Sequence, residues 1–135
     1  MDNKAWMEDI AKRLDAIAHG ELFSVDGDFR TWDELTEEEQ EEYENTKDEG
    51  EDARIHAVSM WEYFSDNYGV WYLVDEHKDL LHGRICIAFG GPNVYVDTDS
   101  GRVELYWWLD RAEAYLSAEA RNAVDGYLQE LYDCC

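Results

Sequence analysis

The sequence predicts an α+β domain: an antiparallel meander of about four strands packed by N-terminal, central and C-terminal helices. Three observations carry that reading. Apolar residues recur at helical spacing near both ends, as Trp6, Ile10, Leu14 and Ile17 and again as Ala120, Val124, Tyr127, Leu128 and Leu131. Between Val70 and Trp108 the apolar period falls from 3.6 to 2, and short turns separate the extended stretches, which suits antiparallel pairing. At 135 residues, with 45% hydrophobic content and six Trp, the chain can bury one real core and is too aromatic for a disordered acidic tail. A single domain over 1–135 is therefore expected, with 33–52 as a protruding acidic helix or loop.

In chain order, Asn3 is placed to cap the first helix, and Gly20 ends it in the left-handed position beside His19, where a helix C-terminus favours positive charge. Leu22 to Val25 reads as a short extended segment, followed by a turn at Asp26-Gly27-Asp28. A second apolar helix is expected from about Asp52, with Ala57, Trp61, Phe64 and Tyr68 on one stripe and Gly69 as its stop. Val70 to Val74 is the first strand of the meander, Asp75 to Gly83 a polar connection, and Arg84 to Phe89 the second strand. Gly90-Gly91-Pro92 turns the chain, and Val94 to Asp97 and Arg102 to Trp108 form a hairpin across Thr98-Asp99-Ser100-Gly101. The last helix starts at Ser117, with Gly126 as its weak point. Ile85, Ile87, Val94, Val96, Val103, Leu105 and Trp107 fall on the sheet face that the helices would cover. The opposite face carries Cys86, Ala88, Tyr95, Glu104, Tyr106 and Trp108.

The most conspicuous stretch is Asp33 to Asp52, where 12 of 20 residues are acids and one, Lys47, is basic. It supplies −11 (1 − 12) of the chain's formal −22. Thr36 with Glu39 three residues on is a capping box, so a helix starts there. Between Glu37 and Glu44 its only apolar side chain is Tyr43, and like charges at Glu37/Glu41 and Glu38/Glu42 each cost roughly 0.2–0.5 kcal/mol. Asp48 to Asp52 reads as loop, broken by Gly50. The six glutamates from Glu37 to Glu44 span about 12 Å of helix, roughly one charge per 2 Å, close to the ~1.7 Å per charge of duplex DNA. The candidate partner-binding residues are Asp33, Glu34, Glu37, Glu38, Glu41, Glu42, Glu44, Asp48, Glu49, Glu51 and Asp52. Two plainer readings compete: a solvated helix that keeps the protein soluble, or adaptation to high salt. The concentration of charge in one segment and the aromatic load argue against uniform salt adaptation.

With 33 acids against 11 bases and a pI near 4.2, direct binding to nucleic acid or an anionic membrane is disfavoured and a basic partner favoured. No apolar run spans a bilayer, and the N-terminus lacks a signal-peptide core, so a cytoplasmic protein is expected. Three cysteines, with Cys134 and Cys135 adjacent, make no disulfide framework. Asp97, Asp99 and Gly101 miss the calcium-loop pattern, with the glycine one place early and Trp108 where the bidentate Glu belongs. His77 and His82 have no recognised zinc spacing. No nucleophile elbow, phosphate loop or dinucleotide fingerprint is present. The sequence gives no catalytic residue, metal site or cofactor, and leaves the oligomeric state open. Tyr95, Tyr106 and Trp108 form a secondary interface candidate, because aromatics carry much of the energy at protein interfaces, although the favoured expectation is that another helix of the same domain covers them.

The stretch from Gly90-Gly91-Pro92-Asn93-Val94-Tyr95-Val96-Asp97-Thr98 through Gly101-Arg102-Val103-Glu104-Leu105-Tyr106-Trp107-Trp108 resembles a box in small acidic proteins of gut-bacterial mobile elements, phages and conjugative elements. In charge and size the chain is also similar to DNA-mimic inhibitors of the anti-CRISPR and antirestriction type. The resemblance implies a mobile element disarming a host nuclease, a CRISPR effector or a restriction enzyme, inside the bacterial cell. The expectation is a non-enzymatic inhibitor that enters a basic nucleic-acid groove. The rival expectation is an adaptor or oligomeric interaction protein that works through the aromatic sheet face.

Overall fold

Two antiparallel sheets and four helices make up the computed structural model, which describes residues 2–134. Met1 and Cys135, and with the latter the Cys134-Cys135 adjacency, lie outside the described residues. The α+β antiparallel class read from the sequence is the class observed. The strand count is larger, at eight.

Helix α1 (Asn3–Ala18) is capped by Asp2, one residue before the expected Asn3, whose carboxylate accepts the Lys4 N–H at 3.0 Å. Its stripe of Met7, Ile10, Ala11 and Leu14 is buried. Strands β1 (Leu22–Val25) and β2 (Asp28–Thr31) form a hairpin across Asp26-Gly27, both at positive φ (53° and 87°). An Asp-Gly pair is suited to such a two-residue turn, because glycine takes the second left-handed position without a Cβ clash. Strand β3 (Ile55–Ala57) pairs on the other side of β1, giving the order β2-β1-β3. Helix α2 (Glu37–Thr46) lies in the excursion between β2 and β3.

The central helix expected over about 52–68 is not there. Ile55 is fully buried as a strand residue opposite Val25, and the Val58 N–H continues the pairing by donating to the Leu22 carbonyl. Ser59 then caps a single turn, α3 (Met60–Tyr63). The helical spacing is real only from Met60 to Phe64. Trp61 stays 44% exposed and Tyr68 64% exposed, so the proposed stripe was a coincidence of spacing. Pairing with β1 won because it gives the Ile55–Ala57 backbone hydrogen-bond partners and buries Ile55 at once.

The larger sheet is a five-stranded meander of β4 (Gly69–Val74), β5 (Leu80–Ala88), β6 (Asn93–Asp97), β7 (Arg102–Trp107) and β8 (Asp110–Tyr115). β5 begins four residues before the expected Arg84, and β8 was not foreseen. Asp-Arg-Ala-Glu-Ala-Tyr has weak strand propensity. β7 offers it an open edge, and Ala112 and Ala114 are small enough for α1 to pack against. Helices α1 and α4 (Ala118–Asp133) join the core on the face bearing Ile85, Val94, Val96, Val103 and Leu105, all fully buried. Ile87 and Trp107 were expected there too. Ile87 is half-buried and packs against that core, as does Ala88 beyond a bulge between Cys86 and Ala88 that shifts the β5–β6 register, while Trp107 at the sheet's end is exposed.

Two contacts lock α4 onto the sheet. A Cβ added to Gly83 would sit 2.8 Å from Leu128 Cδ1 and 3.0 Å from the Trp71 carbonyl, so only glycine fits where the helix presses on β5. Buried Thr98 takes the Gly83 N–H on its hydroxyl at 3.0 Å, and Arg121 donates from α4 to the Thr98 and Asp99 carbonyls. Ser117 caps α4 and also donates to Asp15 of α1, tying the two long helices together.

Candidate functional site

The acidic helix has a structured inner face made almost entirely of polar groups. Thr36 and Glu39 form the expected capping box, with the Thr36 N–H on Glu39 Oε1 at 2.8 Å and the Glu39 N–H on Thr36 Oγ1 at 3.1 Å. Glu39, Gln40, Glu42, Tyr43 and Thr46 lie on the half-buried side, while Glu37, Glu38, Glu41, Glu44 and Asn45 are exposed. That division follows from 100° per residue. Tyr43 is the hydrophobic anchor, its ring meeting Phe23 edge-on at 4.8 Å and Trp32 at 5.9 Å. These three pack with buried Val25, Leu35 and Ile55 into a second small core under the β2-β1-β3 sheet.

Two arginines from that sheet region hold the helix from below. Arg30 Nη1 reaches both oxygens of Glu39, at 3.2 and 3.1 Å. Arg54 grips Glu42 as a fork, Nη2 to Oε1 at 2.8 Å and Nε to Oε2 at 3.0 Å, and spends its remaining nitrogen on Asp26 at 2.9 Å. Gln40 donates to the Trp32 carbonyl at 3.0 Å. The Thr36 N–H, then Arg30, hold the Glu39 carboxyl below its ordinary range. The Thr31 N–H and hydroxyl do the same for Glu34. The Glu42 and Asp26 carboxylates raise the Arg54 pKa further above its already high ordinary value. Past Thr46 the chain continues in 3₁₀ turns over Lys47–Asp52, kinked at Gly50 (φ 63°), where the sequence suggested plain loop.

The acids of 33–52 therefore divide into two groups. Glu34, Glu39, Glu42 and Glu44 are engaged with Thr31, Arg30, Arg54 and Lys47 respectively. Asp33, Glu37, Glu38, Glu41, Asp48, Glu49, Glu51 and Asp52 are exposed, and none makes a side-chain hydrogen bond or ion pair among the described residues. Along the outer face of α2, Glu37, Glu38, Glu41 and Glu44 give about one charge per 3 Å. That is closer to the ~3.4 Å of a single DNA strand than to the duplex value, because Glu39 and Glu42 face inward. Sequence reasoning missed Arg30 and Arg54. Nothing in the linear order marks them as partners of residues nine and twelve positions away.

The secondary aromatic site is rearranged. Tyr95 and Tyr106 do neighbour each other on the sheet face away from the helices, with centroids 6.2 Å apart. Arg84 lies 3.9 Å over the Tyr95 ring, Arg111 lies 5.1 Å over Tyr106, and Trp71 approaches Tyr95 edge-on. Buried Glu104 sits beside them, 2.9 Å from Arg102, which also binds Glu113 at 2.8 Å. Trp108 is not part of that face. With Leu109 it forms the two-residue tip of the β7–β8 hairpin, at φ 56° and 92% exposed, beside Leu109 at 99%.

His77 and His82 also separate, His82 lying 3.2 Å from Asp125 while exposed His77 neighbours Glu76. No group of three His, Cys, Asp or Glu side chains suited to a metal ion occurs among the described residues. Burial pushes the Cys86 thiol pKa up. No helix among the described residues is long and apolar enough to cross a membrane. Comparison of the chain with protein-family models, with curated proteins and with solved structures finds no match.

Proposed function

We propose that this chain is a non-enzymatic, DNA-mimicking inhibitor that occupies the basic nucleic-acid groove of a bacterial defence nuclease, with a CRISPR effector as the leading target class and a restriction enzyme as the next. One observation carries the reading: eight exposed, unpaired carboxylates are borne on a segment that an aromatic anchor and two arginines hold in place. A merely solubilising acidic run needs no such mooring. A surface that must match phosphate positions gains from it, because ordering before contact lowers the entropic cost of binding. Arginines and lysines that clamp phosphates would meet carboxylates at similar spacing through charge-assisted hydrogen bonds. In a Cas9-type target the vulnerable surfaces are the arginines that read the short flanking motif and the channel for the strands. On this reading the protein acts in the cytoplasm of a bacterial host.

The test is a DNA-cleavage assay against a panel of purified effectors. The variant to use is Glu37, Glu38, Glu41, Asp48 and Glu49 changed to the amides. Glu42 is left intact because Arg54 already engages its carboxylate, so it is not part of the unpaired surface being tested. Loss of inhibition with an unchanged circular dichroism spectrum supports the reading; full inhibition by this variant removes the acidic segment from the mechanism.

A second reading, an adaptor that binds through aromatic residues, is favoured by the exposed Trp108-Leu109 tip. There the amide variant would bind its partner normally and Trp108→Ala would not, whereas Tyr106→Ala distinguishes the sheet face from the tip.

A further inference from the structure

A sheet edge presents unpaired backbone groups, and folded proteins guard it with charges, short strands or a covering element. The two sheets here have four edges, and three are guarded. β8 carries Asp110, Arg111 and Glu113 and packs against α1. β2 carries Asp28 and Arg30. β3 is three residues long and lies beside α2 and the 3₁₀ turns. Among the described residues, β4 shows none of these devices at its open edge. From Asn67 to Val74 the chain runs Asn-Tyr-Gly-Val-Trp-Tyr-Leu-Val without a charge, in a protein that is 33% charged. Exposed apolar side chains gather at this edge: Trp71 (55%), Leu73 (44%), Val74 (38%) and, next to Val74's partner Leu80, Leu81 (49%).

We propose that β4 pairs with β4 of a second copy of this chain, antiparallel about a twofold axis, joining two five-stranded sheets into one of ten. The strand is self-complementary. With Tyr72 on the axis, Val70 stands opposite Val74 and Trp71 opposite Leu73, so apolar meets apolar in these pairs on both faces. Charge points to the same occupant. Two bodies of −22 repel each other, and the uncharged run at β4 lets them touch without setting like charges face to face. Gly69 serves the same surface. The Trp71 ring folds back to 3.1 Å from where a Gly69 Cβ would stand, so the absence of that Cβ lets the indole lie along the edge.

A six-residue edge contact is small, at the low end of stable interfaces (below about 1,200 Å² in total), so association belongs in the micromolar range. Its salt dependence has a definite sign. Screening relieves the repulsion between the two bodies, so dimerisation strengthens as salt rises, opposite to binding at a basic groove.

Sedimentation equilibrium on the full chain, from about 1 to about 200 μM in ~0.05 and ~0.5 M NaCl, tests this directly. The expected result is a monomer–dimer equilibrium that stops at two, with the dissociation constant falling at least several-fold at the higher salt. Trp71→Lys with Leu73→Lys should be monomeric throughout, because the twofold axis brings four like charges together. A wild type that stays monomeric at every condition overturns the proposal, as does a dimer that the lysines leave intact. Should the double variant unfold, hydrogen exchange on the wild type decides. Protection of the 69–74 amides must rise with protein concentration, and concentration-independent exchange there overturns the proposal.

Discussion

Replacing Tyr43 with alanine should release the acidic helix and leave the rest of the protein folded. The ring is half-buried, so truncation returns about 100 Å² of apolar surface to water, or roughly 2.5 kcal/mol at 25 cal/mol per Å². The edge-on contacts with Phe23 and Trp32 raise the loss to about 3–4 kcal/mol. What remains cannot compensate. The Arg30–Glu39 and Arg54–Glu42 pairs lie near the surface, where solvent screens them and leaves each a small contribution. A ten-residue helix is below the length that is stable alone, and its glutamates repel one another. A loss of about 3 kcal/mol is on the order of a hundredfold in the opening equilibrium. Native-state hydrogen exchange reads this directly. The amides of Glu41 to Thr46 should exchange about a hundredfold faster while those of β5 to β7 keep their rates, since α2 belongs to the second core. Unchanged protection of α2 would refute the view that Tyr43 anchors it. Equal loss of protection in β5 to β7 would refute the view that the two cores are separable. On the mimic reading the variant keeps every carboxylate, so its association rate with the target should hold while dissociation quickens.

Three further outcomes are expected. Thr98→Val keeps the side chain's shape but leaves the Gly83 N–H without its acceptor in a buried site, so urea unfolding should show a loss of about 1–3 kcal/mol. For His56, burial opposes the charged form, but the Glu62 carboxylate 2.9 Å away and the Ala53 carbonyl outweigh it and raise the pKa above 6.5. Its stabilisation is therefore complete below 6.5 and fades as pH rises through the folded value. The gap in melting temperature between wild type and His56→Gln should be wider at about pH 5.5 than at about pH 8.5; a gap that widens toward alkaline pH contradicts the pairing. Finally, self-repulsion at −22 predicts that the wild-type melting temperature climbs between ~0.05 and ~0.5 M NaCl, whereas the five-amide variant should climb less.

Much of the larger sheet was legible because its signals are local. Alternation in Val94 to Asp97 and Arg102 to Trp108, the turn between them, and the Ser117 cap each depend on a few adjacent residues, and each falls within one residue of where expected. Trp61 shows how local reasoning fails. Its spacing to Ala57, Phe64 and Tyr68 suits a helix, yet β1 had an open edge, and a strand at Ile55–Ala57 satisfied it. β8 was missed for the same reason, since its alanines make sense only against α1. Trp108 was assigned to a sheet face because the count of alternating residues ran one position past the strand into the turn.

For the acidic segment the division lies elsewhere. By itself the sequence determined its charge, its capping box and the start of its helix, because those depend on residue type and on neighbours three positions apart. Tertiary structure decided which carboxylates face outward. That choice rests on Tyr43 finding Phe23 and Trp32, and on Arg30 of β2 and Arg54, just before β3, which only the folded sheet brings beneath the helix. Charge is a property of composition, whereas its presentation depends on packing between residues far apart in the chain.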